Sequence, residues 1–147
     1  MKVLIDSEIF TRQRFGGVSR QFVEIARNLP LLNFTDTEIV SRWHFNQHLR
    51  EFKTEFPGKS KSTYLPKFPN SLRKYLEKQN RQYEKEYIER NNPEIIHHTF
   101  YPHQKTSTKS KVVVTVNDLI REKENSKGNR AIIKRNACYF ADSVVCI

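Results

Sequence analysis

Lys2-Val3-Leu4-Ile5, an apolar run stopped by Asp6, is followed after a loop by Phe15-Gly16-Gly17-Val18-Ser19-Arg20. From there Val18, Phe22, Ile25, Ala26 and Leu29 recur at helical spacing until Pro30 closes the pattern. The stretch predicts a buried strand, a glycine turn and a helix, the opening of a parallel α/β unit. Glycines in such a turn tolerate positive φ and close backbone approach. The helix start also offers unpaired N–H groups and a positive dipole end to a phosphate. Neither GxGxxG nor GxxxxGK is spelled, and a tight turn without a ligand explains the spacing as well as an anion site does.

The alternation continues along the chain. Thr37 to Val40 predicts a second strand and Trp43 to Phe52 a helix that stops before Pro57-Gly58. The proline-bearing segment from Pro57 to Asn70 reads as an exposed connection with a short strand near Thr63 to Leu65. Ser71 reads as the N-cap of a long helix to about Arg90, with Leu72, Tyr75, Leu76, Gln79, Tyr83 and Tyr87 facing inward. Asn91-Asn92-Pro93 ends that helix. Glu94 to His98 then forms a strand that runs into the aromatic loop Thr99-Phe100-Tyr101-Pro102. Lys111-Val112-Val113-Val114-Thr115-Val116 is nearly all β-branched and predicts a fully buried central strand ending at Asn117-Asp118. Asn129 to Phe140 reads as a helix, and Ser143 to Ile147 as one more strand.

These elements predict one α/β domain over residues 1–147, a Rossmann-like doubly wound, mainly parallel sheet with helices on both faces. Ligands then belong outside the carboxyl ends of the strands, in the loops after Ile5, Ile96 and Val116. An apolar strand with nothing returning to cover it predicts that the sheet continues in a longer protein.

Lys and Arg outnumber Asp and Glu by 26 to 16, a net charge of +10, which predicts attraction to anionic partners. Much of the excess falls between Lys59 and Lys85. Cys138 and Cys146 are too few and too far apart for a disulfide framework and read as reduced, buried thiols. No apolar run reaches signal-peptide or membrane-span length, so the cytoplasm is the expected compartment.

Taken in order, Lys2 to Asp6, Phe15 to Arg20, Asn92-Pro93-Glu94-Ile95-Ile96-His97-His98, Val112 to Asp118 and Ala141-Asp142-Ser143-Val144-Val145-Cys146-Ile147 resemble the N-terminal half of glycosyltransferase family 4. That family has the GT-B fold, two facing Rossmann-like domains. The resemblance spans nearly the whole chain. It implies transfer of a sugar from a nucleotide-sugar donor to a glycan or lipid-linked acceptor. The acceptor would be held mainly by this domain and the donor mainly by a C-terminal domain outside this sequence, so that this half is inactive alone.

The resemblance also places the Gly-Gly turn opposite the donor phosphates, which makes Gly16, Gly17 and Arg20 the phosphate-side residues. It implies catalytic positions at Asn117 and Asp118, where the family often has a histidine before the aspartate. Glu122 stands where the family commonly shows an acidic residue, although a solvated charge among Arg121, Lys123 and Lys127 explains it better. Asp118 also reads as a cap on the following turn. His97, His98, Phe100 and Tyr101 suit a sugar platform of stacking faces and a few polar contacts, with one of the two histidines packed into the core. His103 lies beside them, but a metal triad fails because adjacent strand residues face opposite ways and no carboxylate follows at ligand spacing. His44 and His48 lack the glutamate of HExxH and read as surface or packing residues. No metal or other cofactor is expected.

The charge leaves two further readings. The basic stretch predicts peripheral contact with an anionic membrane, or simply a solvated helix laced with local pairs. A non-catalytic phosphate- or nucleic-acid-binding α/β module is the alternative to the enzyme, although no RNP, KH or zinc-finger signature is present.

Overall fold

The computed structural model describes residues 1–32, 35–67, 70–102, 109–117 and 129–147. Six strands form one sheet, β1 (Lys2–Ile5), β2 (Asp36–His44), β3 (Ser60–Tyr64), β4 (Ile95–His98), β5 (Lys111–Val116) and β6 (Ser143–Cys146). Every neighbouring pair is parallel, and the spatial order is β3-β2-β1-β4-β5-β6. The helices are α1 (Gly17–Asn28), α2 (Gln47–Glu55), α3 (Arg73–Asn91) and α4 (Asn129–Phe140). The order reverses between β1 and β4, which is the switch point where an open α/β sheet forms its crevice.

Side-chain alternation along β1 divides the core. Ile5 joins Ile39 and the helical residues Phe22, Val23, Ala26, Leu49 and Phe52, so α1 and α2 cover one face. Leu4 joins Val40, Ile96 and Ile88, so α3 covers the other. Val112 is in register with Ile96 and packs with Val114 and Ala137, which brings α4 to the α3 side. The sheet is therefore Rossmann-like and doubly wound, as expected. Phe10, Phe22 and Phe52 are fully buried, and each contributes roughly 2 to 3 kcal/mol by burial.

Several boundaries differ from the sequence reading for identifiable reasons. β2 runs on through Trp43 and His44, residues assigned to a helix above. α2 begins only after Asn46, whose side chain accepts from Leu49 N at 3.0 Å and donates to Gln13 O at 2.7 Å. β3 starts earlier than expected and forms the sheet edge. Ser71 is not the cap of α3. It lies in a 3-10 turn over Asn70–Leu72, and α3 starts at Arg73 without a side-chain cap. Asn92, at φ 43°, closes α3 in the left-handed conformation.

The inward face of α3 is rolled from the expected one. Leu76, Asn80 and Ile88 are buried, and Tyr83 and Tyr87 pack beside them, whereas Leu72 and Tyr75 are 51% and 60% exposed. The roll brings Asn80 to Trp43, where its amide accepts from Trp43 N and donates to Trp43 O, both at 2.8 Å. β5 is buried as expected but lies second from the edge. Cys138 is half-buried and Cys146 exposed, so the expectation of buried thiols is corrected; both are free.

Candidate functional site

β1 and β4 deliver Asp6, His98 and Thr99 to the switch point. Asp6 is 6% exposed, and its Oδ2 lies 2.6 Å from His98 Nδ1. Its Oδ1 accepts from Thr99 N at 3.0 Å, from Glu8 N at 3.3 Å and from the Thr99 hydroxyl. Burial opposes ionisation of Asp6, but these bonds and the His98 charge outweigh it and hold the carboxyl below its ordinary value. Burial likewise lowers His98, and the bond to Asp6 with its negative charge raises it above the ordinary value overall.

Thr99 then accepts from Ile9 N at 3.0 Å, which ties the 3-10 turn Glu8–Thr11 over the end of β4. On the other side Ser7 N donates to Glu84 of α3 at 2.9 Å. Burial pushes the Glu84 carboxyl up to about 8, and the nearby Asp6 charge adds to the shift. Glu84 is therefore protonated at neutral pH. Part of its surface opens on a cleft of about 30 Å³ between the 3-10 turn and α3, lined also by Ser7, Thr11, Asn80 and Arg81. That volume holds about one or two water molecules.

His97 points to the opposite face. Its Nε2 lies 2.8 Å from Thr115 Oγ1 and its ring stands edge-on to Phe22 at 5.0 Å. Burial lowers its pKa to about 4, so it is a neutral core residue and the histidine that faces the crevice is His98. Phe100 lies under the Arg12 guanidinium, 4.2 Å from the ring centroid. Tyr101 packs on the Val112, Val114 and Ala137 cluster, so only Phe100 of the expected aromatic pair is placed by the Asp6 turn.

Gly16 and Gly17 open α1, next to the exposed Arg20, and the turn before them lies against the start of α2, where Gln47 N donates to Arg14 O at 3.0 Å. Neither glycine lies in the left-handed region. Gly16 is extended at φ 176°, and no described glycine lies in the left-handed region, so the conformational role expected for them is not used. What Gly16 provides is room. A Cβ there would meet the Gln13 side chain at 2.1 Å, and the Gln13 amide oxygen accepts from Ser19 N at 3.4 Å. Gln13 thus covers the helix start with a neutral acceptor.

Asn117 follows β5, and its Oδ1 is buried without a hydrogen-bond partner among the described residues. Asp118, Glu122 and His103 lie outside the described residues. His44, at the end of β2, is fully buried edge-on to Tyr64, its ring held neutral by burial with a pKa of about 4. His48 stands 6.0 Å from Phe15. Both histidines pack, as expected. Among the described residues no cluster of His, Cys, Asp and Glu is arranged to hold a metal.

Asp6, Thr99, Arg12 and Glu84 were not picked out as site residues by sequence reasoning. Asp6 could have been, since it ends the strand that borders the switch point. Glu84 carries no such signal, because only the roll of α3 turns it under Ser7. No family model, curated protein or solved structure matches this chain.

Proposed function

We propose that this chain is the acceptor-side half of a glycosyltransferase that moves a sugar from a nucleotide-sugar donor to a glycan or lipid-linked acceptor. The observation that carries the reading is the crevice between β1 and β4. The N-terminus of α1, with Arg20 beside it, and a buried carboxylate-imidazole pair both stand at the carboxyl ends of the strands. Sugar transfer needs both, a positive end for the departing phosphate and polar groups that align an acceptor hydroxyl.

In this reading the donor phosphate displaces the Gln13 amide from the amides of α1 and is met by Arg20. Asp6 fixes the ring of His98, which hydrogen-bonds the sugar or the acceptor, and Asn117 Oδ1 offers a further acceptor. Asp118 completes the set by resemblance alone. Catalysis is electrostatic, and no metal is required of these residues.

Titration of the isotope-labelled chain with uridine, guanosine and adenosine diphosphates tests it by amide chemical shifts. Perturbation of Gly16, Gly17 and Ser19 by a nucleoside diphosphate, stronger than by inorganic phosphate, is the expected result. An equal response to inorganic phosphate favours the non-catalytic phosphate-binding module. No response in that segment removes the donor-facing role of the turn and with it the transferase reading.

A further inference from the structure

We infer that the outer face of α3 docks on an anionic lipid surface. Lys74, Lys78, Arg81 and Lys85 are all exposed, and their spacing of four, three and four residues puts them on one side of the helix. The stripe is about 16 Å long at the helical rise per residue. Lys85 pairs with Glu89 at 4.0 Å, both exposed, and Arg81, at the flank of the stripe, borders the cleft that Glu8, Glu77 and Glu84 also line. Among the described residues Lys74, Lys78 and Arg81 enter no ion pair.

The acids of the same helix do not cancel this charge. Glu77 is held by Arg73 at 3.0 Å, and Glu84 is turned under Ser7 and protonated. Glu86, which accepts from Gln82 at 2.8 Å, and Glu89 lie in the C-terminal half. The first turns therefore carry a cationic row, and at their start stand Leu72 and Tyr75, 51% and 60% exposed. Lys61 extends the basic surface. It is exposed on the edge strand β3, in register with Val40 and hence on the α3 face of the sheet.

An apolar residue and a tyrosine beside a row of exposed cations fit a headgroup layer. The cations meet anionic lipid while Leu72 and Tyr75 enter the interface. A nucleic acid uses the charge but has no use for an exposed leucine, and a stacking groove needs aromatic residues along the row, where only Tyr75 stands at one end. Among the described residues no helix is long and apolar enough to cross a membrane, so the contact is peripheral.

Cosedimentation of the chain with vesicles tests it, using phosphatidylglycerol mixed into phosphatidylcholine against phosphatidylcholine alone. Binding to the anionic vesicles only, weakened by salt, is expected. The triple variant K74Q/K78Q/R81Q should bind roughly 100-fold more weakly, each charge contributing about a factor of five. Leu72→Ser with Tyr75→Ser should weaken binding while leaving the salt dependence in place. All five side chains are solvent-facing or nearly so, and circular dichroism of each variant checks that the fold is kept. Equal pelleting with neutral lipid, or unchanged binding by the triple variant, overturns the proposal. So does tighter binding to a single-stranded oligonucleotide that ignores Leu72→Ser, which would assign the stripe to nucleic acid.

Discussion

His98 Nδ1 and Asp6 Oδ2 meet at 2.6 Å and join the carboxyl ends of β4 and β1, strands separated in sequence by three α-helices and two strands. The pair is nearly buried, with side-chain exposures of 12% and 8%. Removing one partner therefore leaves an uncompensated group in the interior. Asp6→Ala should cost about 3 kcal/mol in denaturant unfolding, the typical loss on breaking a buried pair. The two histidines should separate in an NMR titration. His98 titrates above the ordinary 6.5, while His97 stays neutral down to about 4. Stability from the raised His98 is present below the unfolded value and lost as pH rises through the folded one. That from the lowered Asp6 is present above 3.8 and lost as pH falls through its folded value. A His98 that titrates together with His97 would contradict the pairing.

Glu84 gives the opposite dependence to an ordinary carboxylate. Its folded pKa of about 8 exceeds the reference 4.5, so the folded state holds the extra proton between these values. Stability from this group is complete below 4.5 and declines as pH rises toward 8. Glu84→Gln keeps an acceptor for Ser7 N and removes the titration. The variant should match the wild type in acid and exceed it in melting temperature above pH 8. Parallel melting curves across that range would show that Glu84 is ionised throughout.

Strand and helix identity was legible wherever local composition and tertiary demand agree. Lys111–Val116 and Asn129–Phe140 appear with the boundaries that β-branching and helical spacing indicate. Trp43-His44 was misread because its apolar residues fit a helix as well as a strand, and the choice was made by pairing of Trp43 and His44 with Thr63 and Tyr64 across the sheet. The face of α3 was misread for a related reason. Apolar spacing favours Leu72 and Tyr75 as inward residues, but a polar residue, Asn80, is needed inside to satisfy Trp43. Of the candidate site, Gly16, Gly17 and Arg20 were legible from the turn that opens α1, and His98, Phe100 and Asn117 from their position at strand ends. Asp6 was within reach as the residue that ends β1 at the switch point, whereas Glu84 joins the site only through a contact that a linear pattern does not contain.

Asn80 is the residue on which that roll depends. Its amide makes two hydrogen bonds to the backbone of Trp43, at a register shift between β2 and β3, and is 2% exposed. Asn80→Ala leaves Trp43 N–H without that partner, while Trp43 O keeps the Ser41 hydroxyl at 2.9 Å. The cost should be about 2 kcal/mol, set by the unsatisfied donor. Asn80→Asp retains the acceptor for Trp43 N and should cost less than Ala if that bond dominates. Faster amide exchange at Trp43 in the Ala variant, read by hydrogen–deuterium exchange, checks the location of the damage. A neutral Asn80→Ala would mean that water replaces the amide and that packing, rather than this bond, sets the roll of α3.

Gly16 and Gly17 are adjacent yet should respond oppositely to alanine. A Cβ at Gly17 meets nothing within 4 Å, and its φ is not positive. As the first residue of α1 it gains helix propensity and loses unfolded-state freedom, so Gly17→Ala should stabilise by about 0.5 to 1 kcal/mol. At Gly16 the added carbon would lie 2.1 Å from Gln13 Oε1 and 2.6 Å from Gln13 Cδ. The far end of that side chain must swing away and give up Ser19 N, so Gly16→Ala should destabilise by about 1 kcal/mol, the loss of a helix cap. Because displacement of Gln13 also uncovers the amides of α1, the same variant should bind a nucleoside diphosphate at least as well as the wild type despite its lower stability. Calorimetric unfolding and a diphosphate titration on both variants separate the two effects. If Gly16→Ala weakened diphosphate binding while Gln13→Ala left it unchanged, the glycine would be needed for close approach of the ligand, and Gln13 would be no competitor for the site.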